Sequence, residues 1–107
     1  MYAGSEQKKE KRRRFGIVDY EIMNDPSLSL EARAIYSILA SYANKDRSCH
    51  PTINTLLRVT GVSKDRFYKH MNQLVDRGIV EKYKMTGEYG RSPNLKTGVI
   101  YVLKDNI

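Results

Sequence analysis

Residues 52–78, TINTLLRVTGVSKDRFYKHMNQLVDRG, decide the fold, because they contain two amphipathic helical patterns joined by a three-residue linker. Thr52 is a good N-cap, and the short amphipathic pattern that follows it stops at Gly61. Glycine permits a sharp turn because it accepts a positive φ, and Ser63 caps the next helix. The stretch predicts a helix of about eight residues, a turn, and a longer helix over Lys64 to Arg77.

Two strand patterns follow this pair of helices. Ile79 to Met85 is rich in β-branched and aromatic residues, and Val99 to Leu103 is a continuous run of strand formers. Residues 86–98 between them contain three glycines and one proline, which predicts a hairpin with a long loop. The order helix, turn, helix, hairpin predicts a winged helix-turn-helix, mainly α with a small β-hairpin, whose wing is residues 86–98.

Upstream of the pair, one more helix is expected. Ser29 is a good N-cap, and apolar side chains then recur every three or four residues, which predicts a helix over Leu30 to Ala43. Ser48 to His50 predicts a short strand. Phe15 to Met23 interleaves apolar and acidic residues, which predicts an extended segment lying on the domain. The domain over residues 15–107 should therefore have three helices plus the wing.

The whole chain has a net charge of +7 and a pI near 9.6. The positive charge is concentrated at its two ends. Residues 1–14 have six basic and two acidic side chains, a net charge of +4, and almost no apolar side chains. Such a segment cannot bury enough surface to order itself, so we expect a disordered basic arm over residues 1–14. Residues 62–107 have nine basic and five acidic side chains, again +4. Two basic ends favour an acidic partner such as nucleic acid.

Several motifs resemble a known family. Pro51-Thr52 opening a helix with Leu56, the linker Gly61-Val62-Ser63, and the run LVDRGI over residues 74–79 are similar to winged helix-turn-helix domains of bacterial plasmid and phage proteins. Many of those domains form the N-terminal part of replication initiators. SLSLEARAIY over residues 27–36 resembles the first-helix signature of that family. The resemblance covers about Phe15 to Leu103 and implies duplex binding, although Arg66 stands where such domains often have a small hydroxyl residue.

The helical period predicts which side chains of residues 64–77 face DNA. With Phe67, Met71, Leu74 and Val75 inside, a turn of about 100° per residue places Asp65, Arg66, Lys69, Asn72, Gln73 and Asp76 outside. Recognition helices enter the major groove near their N-termini, where Arg or Lys can contact guanine and Asn or Gln adenine. We predict base contacts above all from Arg66, Lys69 and Gln73, and phosphate contacts from Lys64 and Tyr68. The predicted DNA-binding set on this helix is Lys64, Asp65, Arg66, Tyr68, Lys69, Asn72 and Gln73.

Further DNA contacts are predicted from the wing and the arm. The wing residues Tyr89, Arg91 and Lys96 suit the sugar-phosphate backbone or a minor groove, and so do the arm residues Arg12, Arg13 and Arg14. The expected partner is double-stranded DNA, bound by a monomer or a homodimer, without a cofactor or small-molecule ligand. Replication initiation and transcription regulation both fit this prediction, as does a place within a longer protein.

Two other classes of binding module are compatible with a basic winged helix. A protein-interaction module would dock an acidic partner protein on the same helix face and would show no salt-dependent affinity for DNA. An RNA-binding domain would need an aromatic stacking sheet, which this sequence does not obviously supply. A charged helix face is also often only solvated, and a basic arm can be a solubilising tail.

Catalytic and metal sites are not expected. Cys49-His50 and the distant His70 lack the number and spacing of ligands that zinc needs, and sequence neighbours on a strand point in opposite directions. We therefore expect no metal, no catalytic residue and no enzymatic activity. The single cysteine and the polar N-terminus favour a reducing cytoplasm, and the nearly apolar stretch Ala34 to Ala43 is too short to cross a bilayer. The resemblance implies a bacterial protein associated with the nucleoid or a plasmid.

Overall fold

The computed structural model describes residues 14–84, 98–105 and 107. These residues form, in chain order, α1 (Tyr20–Met23), α2 (Leu30–Tyr42), β1 (Ser48–Cys49), α3 (Ile53–Thr60), α4 (Lys64–Asp76), β2 (Val80–Lys84) and β3 (Val99–Leu103). The prediction of a disordered arm lies outside the described residues except at Arg14, and the prediction of a wing loop lies outside them except at Gly98.

The three longer helices each begin at a side-chain cap that the sequence predicts. Ser29, Thr52 and Ser63 each accept a hydrogen bond from the backbone N–H three residues later, at 3.0, 3.1 and 3.2 Å. The predicted helices over residues 30–43 and 64–77 are confirmed to within one residue, and α3 has the expected eight residues. Local capping chemistry therefore determines where these helices begin.

The turn between α3 and α4 depends on Gly61. Its φ of 73° lies in the left-handed region, and its N–H donates to the Leu57 carbonyl at 2.9 Å. Because a Cβ destabilises this conformation, glycine is favoured here. Val62, the next residue, is half-buried and packs against the core, which sets the angle between the two helices.

A single hydrophobic core lies between α2, α4 and the sheet, with Leu56 contributed by α3. The stripe predicted for α4 is confirmed, because Phe67, Met71 and Leu74 are fully buried, whereas Val75 is half-buried. The buried apolar residues are Leu28, Ala32, Ile35, Tyr36, Leu39, Ala40, Cys49, Leu56, Phe67, Met71, Leu74, Val80, Tyr101 and Leu103. Burial on this scale holds α4 against α2 and leaves its opposite face free.

The strands form an antiparallel three-stranded sheet in the order β1-β3-β2. In the hairpin, Val80 lies opposite Leu103 and Lys84 lies opposite Val99, while Ser48 of β1 pairs with Val102. The predicted hairpin and the short strand before Pro51 are confirmed, and the fold is that of a winged helix-turn-helix.

One prediction about the N-terminal segment is wrong. Phe15 to Met23 was expected to be extended throughout, but Tyr20–Met23 forms the short helix α1. The physical reason is a cap, because Asp19 Oδ1 accepts the backbone N–H groups of Glu21 at 2.8 Å and Ile22 at 3.4 Å. The described fold therefore has four helices rather than three.

A cluster of three polar side chains, the Asp105 clasp (Asp105, Arg47 and Tyr36), ties both ends of the described domain to α2. The Asp105 side chain has no exposed area and accepts hydrogen bonds from Arg47 Nε at 3.0 Å, from Arg47 Nη2 at 2.6 Å, and from the Tyr36 hydroxyl. Tyr36 in turn accepts the Asp19 N–H at 2.9 Å, and Arg47 donates to the Ile17 carbonyl at 2.9 Å. The N-terminal segment and the residues after β3 thus meet at one carboxylate.

Ionisation supports the Asp105 clasp. Burial and, after it, the hydrogen bond to Asp105 raise the pKa of Tyr36 to about 12. Burial alone would raise the pKa of Asp105, but hydrogen bonds from Arg47 and Tyr36 outweigh it and hold that pKa below its ordinary value. At neutral pH the cluster therefore contains an ionised carboxylate paired with the Arg47 guanidinium.

Gly16 lets the N-terminal segment lie directly on the C-terminal end of α2. A Cβ at this position would lie 2.7 Å from Ser41 Cα and 2.9 Å from Ser41 N, which no side chain could occupy without moving the backbone. Arg14, two residues earlier, is exposed. The chain therefore reaches the domain at the end of α2.

Asp105→Asn should lower the free energy of unfolding by about 3 kcal/mol, because it leaves the largely buried Arg47 guanidinium without its charged partner. Urea denaturation of the wild type and the variant measures this difference. Asp76→Asn is the control, since Asp76 is exposed and forms no ion pair within the described part of the chain. Equal stabilities of the two variants would contradict this role for Asp105.

Candidate nucleic-acid interface

The outward face of α4 is polar. Asp65, Lys69, Asn72 and Asp76 are all exposed and lie on the side of the helix opposite the buried stripe. Lys64, the first residue of α4, is also exposed. Because the core holds the other side of the helix, these side chains project into solvent.

On one flank, α4 meets the hairpin through Tyr68. The Tyr68 ring is half-buried and contacts the Phe67 ring edge-on, with centroids 5.4 Å apart and an interplanar angle of 79°. Lys82 of β2 places its Nζ 5.5 Å from the Tyr68 ring centroid, within cation–π range. The phenol ring predicted to contact phosphate therefore lies next to a lysine of the hairpin.

Lys82 and Lys84 are missing from the set of site residues predicted by sequence. Both are exposed on β2, and strand alternation places them on the same face of the sheet as the buried Val80. The sequence could have indicated this, because side chains two residues apart on a strand share a face. If Val80 packs on α4, Lys82 must lie near the same helix. These lysines add positive charge on the hairpin beside α4.

The other flank of α4 is held by the polar seam, which consists of Arg66, His70, Gln73 and Arg77 together with Asp25, Ser27, Ser29 and Glu31. The four residues at α4 are spaced four, three and four apart, so they form one line along the helix. Their partners alternate along the segment that leads into α2. The two lines run in opposite directions.

The N-terminal half of the polar seam involves charged groups. Arg66 Nη2 lies 2.8 Å from Glu31 Oε2, and His70 Nδ1 lies 2.8 Å from Ser29 Oγ. Ser29 Oγ also accepts the Ala32 N–H at 3.0 Å. His70 Nε2 lies 3.9 Å from Glu31 Oε2. Arg66 and His70 thus lie beside the same carboxylate.

The C-terminal half of the polar seam ends in a second ion pair. Gln73 Oε1 accepts the Ser29 N–H at 3.0 Å, and Arg77 donates to Asp25 Oδ2 and Ser27 Oγ, each at 2.7 Å. Hydrogen bonds from Ser27, and then from Arg77, lower the pKa of Asp25 to about 2. A backbone hydrogen bond, and then the one from Arg66, hold the pKa of Glu31 below its ordinary value. Both carboxylates are therefore ionised near neutral pH.

The polar seam bears on two residues predicted to contact bases. Gln73 is half-buried, and its amide oxygen is engaged by the Ser29 backbone. The side chain of Arg66 is 57% exposed, and within the described part of the chain only its Nη2 donates a hydrogen bond. Base contact by either residue stays a prediction. The sequence did contain a signal for these pairings. Polar residues occupy every second position from Asp25 to Glu31, and polar residues also line one side of the helix from Arg66 to Arg77.

The remaining predicted DNA-binding residues belong to the arm and the wing. Arg14 is exposed at the start of the described chain. Arg12, Arg13, Tyr89, Arg91 and Lys96 lie outside the described residues, and their predicted contacts stay predictions.

Other kinds of site would need metal ligands, a membrane-spanning helix or a reactive thiol within residues 14–84, 98–105 and 107. No group of three His, Cys, Asp or Glu side chains there could hold a metal ion, and no helix there is long and apolar enough to cross a membrane. Cys49 is buried, and burial raises the pKa of its thiol to about 11, whereas His50 is exposed. The thiol is therefore protonated at neutral pH.

Comparison with known families gives the same architecture. A family model described as a helix-turn-helix domain matches residues 27–80, about half of the chain. The chain belongs to the helix-turn-helix domain family. The matched region starts inside the polar seam and ends at the first residue of β2, so this helix-turn-helix domain includes α2, α3 and α4. Comparison with curated proteins and with solved structures gave no match. The similarity to replication initiators stays a prediction.

Ser29→Ala should lower the free energy of unfolding by about 2 kcal/mol, because it removes the cap of α2 and the hydrogen-bond partner of His70. Ser37→Ala is a matched control on the same helix, since among the described residues the Ser37 hydroxyl bonds only back to the Ala34 carbonyl. Alanine there should leave stability unchanged or slightly higher. Urea denaturation compares the variants, and similar losses in both would argue against a structural role for the polar seam.

Proposed function

We propose that this helix-turn-helix domain binds double-stranded DNA sequence-specifically, with the N-terminal half of α4 in the major groove. The observation that supports this proposal is the orientation of α4: its outward face is polar, while the core and the polar seam hold the rest of the helix. A B-DNA major groove about 12 Å wide admits one helix. A rigidly held helix can present side chains to base edges with little loss of conformational entropy on binding.

Lys69 and Asn72 are the strongest candidates for contacts with bases. Both are exposed on the outward face of α4, and neither side chain takes part in the polar seam. Lysine donates to guanine O6 and N7, and asparagine forms a bidentate pair with adenine. Asp65, one turn earlier, can accept from the cytosine amino group. Arg66 adds a guanidinium at the edge of this face.

Phosphate contacts would surround this surface. Lys64 at the start of α4, Lys82 and Lys84 on β2, and Arg14 are exposed cations on three parts of the domain. The arm residues Arg12 and Arg13 and the wing residues Tyr89, Arg91 and Lys96 would add backbone or minor-groove contacts. Such contacts supply affinity and register rather than sequence preference.

The proposed biological role is transcription regulation or plasmid or phage replication initiation in the bacterial cytoplasm, without a catalytic step or cofactor. Selection of bound sequences from a random duplex pool tests it most directly. A consensus supports sequence-specific binding, and a two-fold symmetric consensus would indicate a homodimer on DNA. Failure to retain any duplex would favour the alternative, a module that docks an acidic protein.

Affinity for a duplex should fall steeply as salt is added. If about five phosphates are neutralised, log K should decrease with log salt concentration with a slope of roughly −4 to −5. Fluorescence anisotropy with a labelled duplex across a salt series measures this slope. An affinity that is independent of salt would contradict binding through the basic surface.

Lys69→Ala should weaken binding to the selected site by about 1 to 3 kcal/mol and relax base preference at one position. Lys45→Ala is the matched control, because Lys45 is exposed in the loop between α2 and β1 and the change removes the same charge. The control should weaken selected and random duplexes to the same small extent. If both variants lower affinity for selected and random duplexes equally, Lys69 does not contact bases.

A further inference from the structure

Glu31 belongs to the first turn of α2, yet its carboxylate lies at the edge of the proposed DNA-contacting face. Glu31 Oε2 accepts a hydrogen bond from Arg66 Nη2 at 2.8 Å, and the two side chains are 39% and 57% exposed. An exposed ion pair of this kind adds little to folding stability. Its effect is to restrict where a long cationic side chain can go.

We propose that Glu31 is a specificity-determining residue, which positions the Arg66 guanidinium and makes duplex binding more dependent on base sequence. This inference rests on the proposed function. Glu31 acts through Arg66 and needs no contact of its own with DNA.

The mechanism follows from the hydrogen-bonding capacity of arginine. A free Arg66 side chain could swing to any nearby phosphate, and such contacts strengthen binding to every duplex equally. With Nη2 held by Glu31, the guanidinium keeps further N–H donors in a fixed plane. A pair of acceptors such as guanine O6 and N7 can meet those donors only at one register.

The neighbouring side chains hold Glu31 in place. His70 is largely buried, and Ser29 binds its Nδ1 at 2.8 Å, which fixes the orientation of the ring. His70 Nε2 lies 3.9 Å from Glu31 Oε2. The carboxylate therefore lies between two side chains of α4, and its hydrogen bond to Arg66 places it beside the helix that would enter the groove.

The chain contains a matched control at the other end of the polar seam. Asp25 and Arg77 form an ion pair of 2.7 Å between the same segment and the C-terminal end of α4, with side chains 27% and 42% exposed. Removing either carboxylate raises the net charge by one. Only Glu31 lies beside the N-terminal half of α4, so a comparison of the two variants separates positioning of Arg66 from a general effect of charge.

The experiment compares Glu31→Gln and Asp25→Asn in the full chain, using the selected duplex and a random duplex at the same salt concentration. The readout is the ratio of the two affinities, with thermal melting as a check that each variant is folded. We expect Glu31→Gln to lower this ratio by about fivefold or more, mainly through tighter binding of the random duplex. Asp25→Asn should leave the ratio within about twofold of wild type, because charge alone acts on all duplexes alike.

A double-mutant cycle links the effect to Arg66. In an Arg66→Ala background, Glu31→Gln should cause no further change in the ratio, since the side chain that Glu31 positions is gone. Equal ratios for Glu31→Gln and Asp25→Asn, or an undiminished effect of Glu31→Gln in the Arg66→Ala background, would overturn the inference and leave the proposed function intact. A wild-type protein that does not distinguish the two duplexes would overturn the proposed function itself.

Discussion

The rotation of α4 about its own axis is the constraint on which the rest of the structure depends. On the inner side, Phe67, Met71 and Leu74 are fully buried, so turning the helix would expose apolar surface. On one flank, the polar seam adds directional bonds, from the Arg66–Glu31 pair at its first turn to the Arg77–Asp25 pair just beyond its last. Apolar packing sets the buried side, and the hydrogen bonds of the polar seam link its edge to the segment that leads into α2. The exposed polar face of α4 lies opposite the buried side.

The polar seam also changes the electrostatics of the domain. Asp25 and Glu31 are each neutralised by an arginine of α4, and hydrogen bonds hold the pKa of each below its ordinary value. Arg66 and Arg77, which a helical projection would assign to the solvent-exposed surface, therefore form ion pairs within the protein. Most of the unpaired positive charge near α4 within the described residues comes from lysines of α4 and β2, which are strongly hydrated and flexible. The lysines of β2 suit phosphate contacts, whereas the ion pair with Glu31 suits Arg66 to a fixed position.

Local sequence signals predicted most of the fold because the determinants are themselves local. Ser29 and Ser63 cap helices through hydrogen bonds three residues away, and Gly61 adopts the positive φ that its lack of a Cβ favours. The short helix after Asp19 was missed because alternation of apolar and acidic residues fits a strand as well as one helical turn. The Asp105 clasp was also missed, because Asp105 meets Arg47 across 58 residues and no periodicity connects them.

The bounds and buried stripe of the helix that carries the candidate site were predicted correctly, whereas the hydrogen-bond partners of its polar side chains were not. A helical projection places Arg66 and Gln73 within the polar face, yet it carries no information about what lies beside that face. Ser29 and Glu31 occupy that space, and their positions depend on how α2 crosses α4. A polar residue at the edge of such a helix can therefore either contact a ligand or stabilise the helix against its neighbour. A hydrogen bond to the neighbouring helix favours the stabilising role. Gln73 lies on the supporting side, since its oxygen is engaged and half-buried, whereas Arg66 has donors left for a second partner.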